Sequence, residues 1–289
     1  MENLIVAICY DFDKTLSPKD MQEYGFIDKL GISPDDFWNE VGKVCLKYKA
    51  DNATGYMFSM VEKYRQKNMT FTRQDLNNLG RNIELYQGVK DWFSRINEFG
   101  KVNGVTIEHY IISSGNKEIL EATPIAKEFK EIYASSFIFD DDEKPVWPSQ
   151  AVNYTNKTQY LFRINKGILD VNDNTINDSM KHENRRIPFK NIIYVGDSLT
   201  DVPCMRLTIK SGGNAIGVYD KNNSNLKPIM ELLNNNRIDY FVPCDYTENS
   251  EIDKVVKEII LECKHKHNLE LMSKSQKEEL LSLQKNRNK

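Results

Sequence analysis

The 289-residue chain has no long apolar run near its start: the longest there, Leu4 to Tyr10, is seven residues. A bilayer-spanning helix needs roughly 20. The run has neither a charged start nor a small-residue cleavage site, and it leads straight into acidic residues, so the chain is read as intracellular, in the cytoplasm. An excess of charge is missing too. Lys and Arg number 39 against 42 Asp and Glu, a formal net charge of −3, which leaves no electrostatic footprint for nucleic acid or an anionic membrane. Cysteines are few, odd in number and scattered (Cys9, Cys45, Cys204, Cys244 and Cys263), which fits reduced, mostly structural thiols better than a disulfide framework. There is no internal repeat, and no pattern speaks to the oligomeric state. What is present is ordinary for a soluble globular protein, with 40% hydrophobic and 28% charged residues. The length suits one large α/β domain, or a domain with a sizeable insertion.

Three segments share one pattern, a short, mainly apolar run that stops at a polar or glycine residue: Leu4–Tyr10 before Asp11, Ile107–Ile112 before Ser113, which Glu108 and His109 interrupt, and Ile192–Val195 before Gly196. Runs of this length, rich in Ile and Val, suit strands buried on both faces of a parallel sheet. Each is followed by polar residues and a helical pattern, as in a doubly wound α/β fold. Ligands bind such sheets beyond the carboxyl ends of the strands, and all three runs deliver polar residues to that edge. Asn214–Tyr219 and Ile238–Val242 predict two more strands, with helices at Leu226–Leu233 and Glu251–Cys263. Phe137–Phe139 and Ala151–Tyr154 predict a hairpin with the acidic run Asp140 to Glu143 in a solvated loop, and the polar stretch from Ser273 onward predicts a frayed helix or tail.

Spacing exposes an insertion. A strand-to-strand crossover takes roughly 30 or more residues, yet 102 positions separate Asp11 from Ser113. Residues from about Ser17 to Gln87 show helical spacing instead: Phe37, Val41, Val44 and Tyr48 on one face, and Met57, Met60, Val61 and Tyr64 on another. Thr72 is a candidate N-cap for a shorter helix to Leu79. The expected organisation is a core of residues 1–16 and 88–289 with a small helical domain, 17–87, hung beside Asp11, where it could close over the site and exclude water.

The chemistry sits at the strand ends. In Asp11-Phe12-Asp13-Lys14-Thr15, alternate residues of an extended chain share a face, so Asp11 and Asp13 can enter one cleft. Two adjacent carboxylates repel unless a cation or a shared proton relieves them, and a hard divalent cation prefers oxygen ligands. Ser113-Ser114-Gly115 precedes a helical start near Lys117 and offers hydroxyls and free amides to an anion, or simply caps the helix. Gly196-Asp197-Ser198-Leu199-Thr200-Asp201 places two carboxylates four apart, on one face if the segment is helical. A Cys263-x-His265-x-His267 string invites a zinc reading, but only Cys263 and His267 share a helical face and no fourth ligand is near.

Together these residues resemble the haloacid dehalogenase-like superfamily, a large group of mostly phosphatases. Asp11, Asp13 and Thr15 match its first signature, Ser113 its second, Lys157 in Asn156-Lys157-Thr158 its third, and Gly196, Asp197 and Asp201 its fourth, in the expected order. Lys166 is a nearby rival for the third. The resemblance implies that Asp11 is the nucleophile, forming an aspartyl-phosphate, and that Asp13 is the general acid and base. It implies Mg2+ held by the Asp11 carboxylate, the Asp13 main-chain carbonyl and Asp197. Lys157 is implied as a catalytic cation, Thr15, Ser113, Ser114 and Gly115 as the phosphate cradle, and Asp201 as an anchor for the metal's surroundings or for Lys157. An acid at position 13 favours phosphate esters. The insertion resembles the superfamily's helical cap in a phosphoserine phosphatase-like layout, with Gly88 at the return to the core and Trp38, Tyr56 and Met60 able to contact substrate or to pack within the cap. A capped site points to a small phosphorylated metabolite. A phosphotransferase or mutase on the same residues, and a non-catalytic phospho-ligand binder, are the alternatives.

Overall fold

The computed structural model describes residues 4–222 and 227–287. Its centre is β1 (Leu4–Tyr10), whose residues, the partly buried Ile5 apart, are buried on both faces as the sequence predicts. β1 pairs in parallel with β2 (Val105–Asn116), from Leu4 opposite Val105 to Tyr10 opposite Ile111, and with β5 (Ile192–Gly196), from Ala7 opposite Ile192 to Tyr10 opposite Val195. β6 (Asn214–Tyr219) and β7 (Tyr240–Pro243) extend one side in parallel. β3 (Phe129–Phe139) extends the other in parallel, and β4 (Pro145–Gln150) closes it antiparallel, giving the order β4-β3-β2-β1-β5-β6-β7. This is the doubly wound sheet that the sequence predicts.

Two expectations about the strands need correcting. The hairpin's return strand lies at Pro145–Gln150, before the predicted Ala151–Tyr154; it is an edge strand, where Pro145 and Pro148 are tolerated because their missing N–H groups need no partner. The parallel strand β3 begins at Phe129, earlier than any run read from the sequence, because Lys130, Glu131 and a Ser pair break its apolar pattern.

The helices follow their caps. α1 (Pro34–Tyr48) opens with Pro34 after Ser33, whose Oγ accepts from the Asp36 N–H at 3.1 Å. α2 (Asn52–Gln66) is capped by Asp51, and α3 (Arg73–Arg81) starts on a capping box between Thr72 and Asp75. Phe37, Val41, Met57, Met60 and Tyr64 are buried in the same hydrophobic cluster as Val6, Ile8 and Tyr10, so the inserted helices share their core with one face of the sheet. Val44 is only partly buried and Tyr48 is exposed, which shortens the predicted face of α1. Gly88, at φ 81°, turns the chain into α4 (Val89–Val102), and a Cβ there would lie 2.4 Å from the main chain of Tyr246 and Thr247. On the opposite face of the sheet, Ala7 and Cys9 pack with α6 (Thr158–Lys166) and α7 (Val202–Lys210). A short α5 (Lys117–Glu121) follows β2, and α8 (Lys227–Asn234) lies between β6 and β7.

The last helix, α9 (Glu251–Arg287), runs without a break through the stretch predicted to fray. Its first half buries Ile252, Val256, Ile260 and Cys263, while Leu269, Met272 and Leu280 beyond are exposed. His265 is exposed on it, and among the described residues no metal-holding group includes Cys263, His265 or His267. No described helix is long and apolar enough to cross a membrane.

Candidate active site

The register of β1, β2 and β5 brings Asp11, Ser113 and Asp197 to one sheet edge. The Asp11 N–H donates to the Val195 carbonyl at 2.9 Å, carrying the ladder one residue past β1 and fixing where the carboxylate starts. Asp11 shares its parity with Ala7 and Cys9, and so faces the side of the sheet where α6 begins, while Phe12 packs in the opposite cluster. There Lys157, fully buried at the end of a short 3-10 turn (Tyr154–Lys157), places its Nζ 3.3 Å from Asp11 Oδ2 and 2.8 Å from Asp201 Oδ1. The rival Lys166 is occupied elsewhere, donating to the main-chain carbonyls of Ile176 and Asp178.

Asp11, Asp197 and Asp201 each bring one carboxylate oxygen within 4.8 Å of the others, the one such group among the described residues. The crowding shows in their titration. Burial, reinforced by Asp201, pushes Asp11 up to about 6 against the opposing pull of Lys157. Asp197 rises through burial and then the charges of Asp201 and Asp11; Asp13 rises through burial and then Asp20 and Asp11. Burial would lower Lys157, but the carboxylates of Asp11 and Asp201 overcome it and keep the ammonium charged. Asp201 is the most fully occupied carboxylate: Oδ1 accepts from Lys157 and from Tyr194 at 2.7 Å, and Oδ2 from the Ser198 N–H at 3.3 Å and its hydroxyl at 3.2 Å. Tyr194 has no signature in the sequence, where it reads only as an aromatic within an apolar strand.

The remaining signature residues gather around this centre. Asp13 accepts from the Met21 N–H at 3.0 Å, and Thr15 Oγ1 lies 3.4 Å from Asp197 Oδ1. Lys14, between them, takes a left-handed φ of 57°, and its ammonium pairs with Asp20 at 2.8 Å. Ser113, Ser114 and Gly115, expected to lie beyond the strand's end, instead continue β2 to Asn116, because β3 pairs there through Ser135 beyond an irregularity in register. Ser113 Oγ accepts from the Gly115 N–H at 3.1 Å, and the end of the Met21 side chain packs where a Cβ at Gly115 would lie, so a larger residue there would require Met21 to move.

The inserted helices face this edge across a cavity of about 420 Å³. Trp38 of α1 and Tyr56 of α2 line it; Met60, the third residue weighed for substrate contact, is buried in the hydrophobic core and does not. Tyr56 donates its hydroxyl to the Ser114 carbonyl at 2.8 Å, and Asn153 donates to Asp51 at 3.2 Å, so the insertion is tied to the core beside the cavity. A third tie, the ion pair of Arg73 with Glu143 at 2.8 Å, uses the solvated hairpin loop. Gln22 and Asn153 also line the cavity, and no sequence motif points to either.

The haloacid dehalogenase-like hydrolase family matches residues 8–206, and the chain belongs to that family. An uncharacterized protein of Borreliella burgdorferi is 29% identical over 277 residues, covering 86% of this chain and 94% of its own. Among solved structures, a probable phosphoserine phosphatase from Vibrio cholerae superposes with a TM-score of 0.57 at 13% identity, over 91% of this chain and 67% of that one. A phosphoserine phosphatase in its apo form does so with 0.55 at 15% identity, over 87% and 98%. At these identities the likeness is one of fold.

Proposed function

We propose that the protein is a magnesium-dependent phosphatase that hydrolyses a small phosphorylated metabolite through an aspartyl-phosphate on Asp11. The observation that carries this reading is the placing of Asp11 at the end of the central strand, 3.3 Å from a fully buried lysine and within 4.8 Å of two further carboxylates. Such a cluster is poorly balanced by Lys157 alone, and its all-oxygen donor set fits a hard divalent cation. The Asp11 and Asp197 carboxylates with the Asp13 main-chain carbonyl would hold it. Asp201, with both oxygens already engaged, instead orients Lys157. When bound, Mg2+ offsets the repulsion between the Asp11 carboxylate and the phosphoryl oxygens.

In this reading an Asp11 oxygen forms a bond to phosphorus as the ester P–O bond breaks, and Asp13 gives its proton to the departing oxygen. The upward shift of Asp13 favours the protonated form this step requires. Water then attacks phosphorus, returns a proton to Asp13 and releases phosphate and free Asp11. Lys157 holds positive charge beside the reacting oxygens, and Thr15, Ser113, Ser114 and the Gly115 N–H hold the phosphoryl group. Residues 17–87 act as the cap and 1–16 with 88–289 as the catalytic core, supported by the way Trp38 and Tyr56 close the cavity opposite Asp11. A cavity of about 420 Å³ suits a small ester and leaves little room for a phosphoprotein.

The test is phosphate release from a panel of small esters with Mg2+, comparing the native chain with Asp11→Asn. Magnesium-dependent release that disappears in the variant supports the mechanism. Equal release from both removes Asp11 as nucleophile, and activity confined to phosphopeptides overturns the small-metabolite reading.

A further inference from the structure

We infer that Tyr194 is a positioning residue for the reaction: its hydroxyl fixes the Asp201 carboxylate, and through Asp201 it sets how Lys157 is shared with Asp11. The inference rests on the phosphatase reading above and adds to it a residue that stands behind the cavity wall.

Tyr194 lies on β5 opposite Cys9 of β1, and it is buried with Cys9, Cys204 and Met205 on the α6 side of the sheet, the side to which Asp11 turns. Its hydroxyl donates to Asp201 Oδ1 at 2.7 Å, the same oxygen that accepts from Lys157 Nζ at 2.8 Å. Tyr194, Asp201 and Lys157 are all 0% exposed. The other carboxylate oxygen is held too. Asp201 Oδ2 accepts from the N–H and the hydroxyl of Ser198, and a Cβ at Gly196 would lie 2.6 Å from it. Strand β5 therefore grips Asp201 from one side through Tyr194, and the loop that carries Asp197 grips it from the other.

This grip bears on Lys157, which is unequally shared. Its Nζ lies 2.8 Å from Asp201 Oδ1 and 3.3 Å from Asp11 Oδ2. Charges buried at such separations interact strongly, so the balance between the two carboxylates decides where the ammonium rests. A hydroxyl donating to Oδ1 holds that oxygen at one point and draws on negative charge that would otherwise act on Lys157 alone. Without the hydroxyl, Asp201 attracts the ammonium more strongly and draws it away from Asp11, where the proposed mechanism uses its charge. A buried tyrosine that merely satisfies its own hydroxyl would behave differently, and Tyr10 supplies the comparison. It is equally buried on the neighbouring strand and takes a hydrogen bond from Trp92 at 2.8 Å, but it faces the other side of the sheet.

The experiment measures kcat and KM for para-nitrophenyl phosphate with Mg2+, and unfolding in urea, for the native chain, Tyr194→Phe and Tyr10→Phe. Tyr194→Phe is expected to lower kcat about tenfold with KM within about twofold, since the groups assigned to hold the phosphoryl moiety are untouched. Tyr10→Phe is expected to lose stability with kcat kept within about twofold. In place of Tyr194, 4-aminophenylalanine donates an N–H from the hydroxyl's position and is expected to restore most of kcat. There 4-fluorophenylalanine fills the position without donating and is expected to leave kcat low. An unchanged kcat in Tyr194→Phe, or equal falls in the two phenylalanine variants, overturns the inference and leaves the phosphatase reading standing. Should Tyr194→Phe fold poorly, the amino and fluoro analogues decide, and equal kcat in those two overturns it. Silence of the native chain on this and every other small ester overturns both.

Discussion

Tyr10 and Asp11 are neighbours in sequence and opposites in environment. The Tyr10 side chain sits in a closed chain of hydrogen bonds: Trp92 Nε1 donates to the Tyr10 hydroxyl at 2.8 Å, the hydroxyl lies 3.0 Å from His109 Nδ1, and His109 Nε2 lies 3.1 Å from Asn97 Oδ1. Those distances form one consistent relay when His109 is neutral with its proton on Nε2, so each donor has an acceptor. One residue later, Asp11 enters a cluster of carboxylates with Lys157 as its buried cation. The strand supports both because its residues alternate between faces: Tyr10 turns to the cluster containing Trp92 and Phe93, Asp11 to the side of α6. The polar groups behind Tyr10 are satisfied by the protein and stabilise it. Those around Asp11 are left under-compensated, which costs stability and fits the cation and phosphate that the proposed function assigns there.

Substitutions on the two sides should therefore fail in different ways. Asp11→Asn is expected to lower kcat/KM by about a thousandfold or more, because in the proposed mechanism it removes the nucleophile. Its metal-free stability in urea is expected to match or exceed that of the native chain, since it relieves a buried charge that Asp201 opposes. A large loss of stability would break the comparison. His109→Leu is the reverse case: it strips partners from Tyr10 and Asn97 and is expected to cost about 2–4 kcal/mol in urea, with kcat changed by less than about tenfold. Equal losses of kcat in the two variants would mean that the relay behind Tyr10 takes part in positioning Asp11. Mg2+ sharpens the contrast. At a concentration 100 times its Kd it should stabilise the native chain by about 2.7 kcal/mol, and the gain should shrink sharply in Asp197→Asn but persist in His109→Leu. A gain surviving in Asp197→Asn would move the metal elsewhere.

The acidic side was legible in the sequence and the neutral relay was not, for a physical reason. Asp11 and Ser113 follow directly on mainly apolar runs, with Asp13 and Asp197 within a residue or two of such a run, so strand ends and site residues announce each other, and the parallel register then brings them together. Lys157 needed the ordered resemblance, because nothing in Asn156-Lys157-Thr158 distinguishes a fully buried lysine from a solvated one. His109 and Glu108 looked like interruptions of a strand. His109 in fact completes the relay, and Glu108 accepts from Tyr110 at 2.6 Å while pairing with Arg186 and Lys130. Such roles depend on residues tens of positions away. β3 escaped for the related reason that its Ser135 and Ser136 are buried and hydrogen-bonded, Ser135 to the Ser114 carbonyl at 3.1 Å and Ser136 to Ser149. A polar residue satisfied by tertiary structure carries no mark in the local pattern. The same holds for Gln22 and Asn153 on the cavity wall.

The smallest expected effect is also the finest probe, because the two sides titrate with opposite sign. Burial lowers His109 to about 3, whereas an unfolded histidine titrates near roughly 6.5. Between those values the unfolded chain binds a proton that the folded chain refuses, so acidification costs stability, by up to about 1.4 kcal/mol per pH unit. Asp11 is raised to about 6, against roughly 3.9 when unfolded. In that window the folded chain takes the extra proton, and acidification adds stability at a similar slope. Asp13 and Asp197, also raised, pull in the same direction as Asp11. Metal-free native protein should therefore lose little stability, or gain some, between about pH 6 and pH 4, then lose it more steeply below pH 4 as His109 acts with less opposition. Asp11→Asn should uncover the histidine slope at higher pH, and His109→Leu should flatten the loss below pH 4. Urea unfolding at half-unit pH steps reads all three curves. Superimposable curves for Asp11→Asn and the native chain would mean that Asp11 carries no excess of buried charge, and the contrast with Tyr10 would then be one of geometry alone.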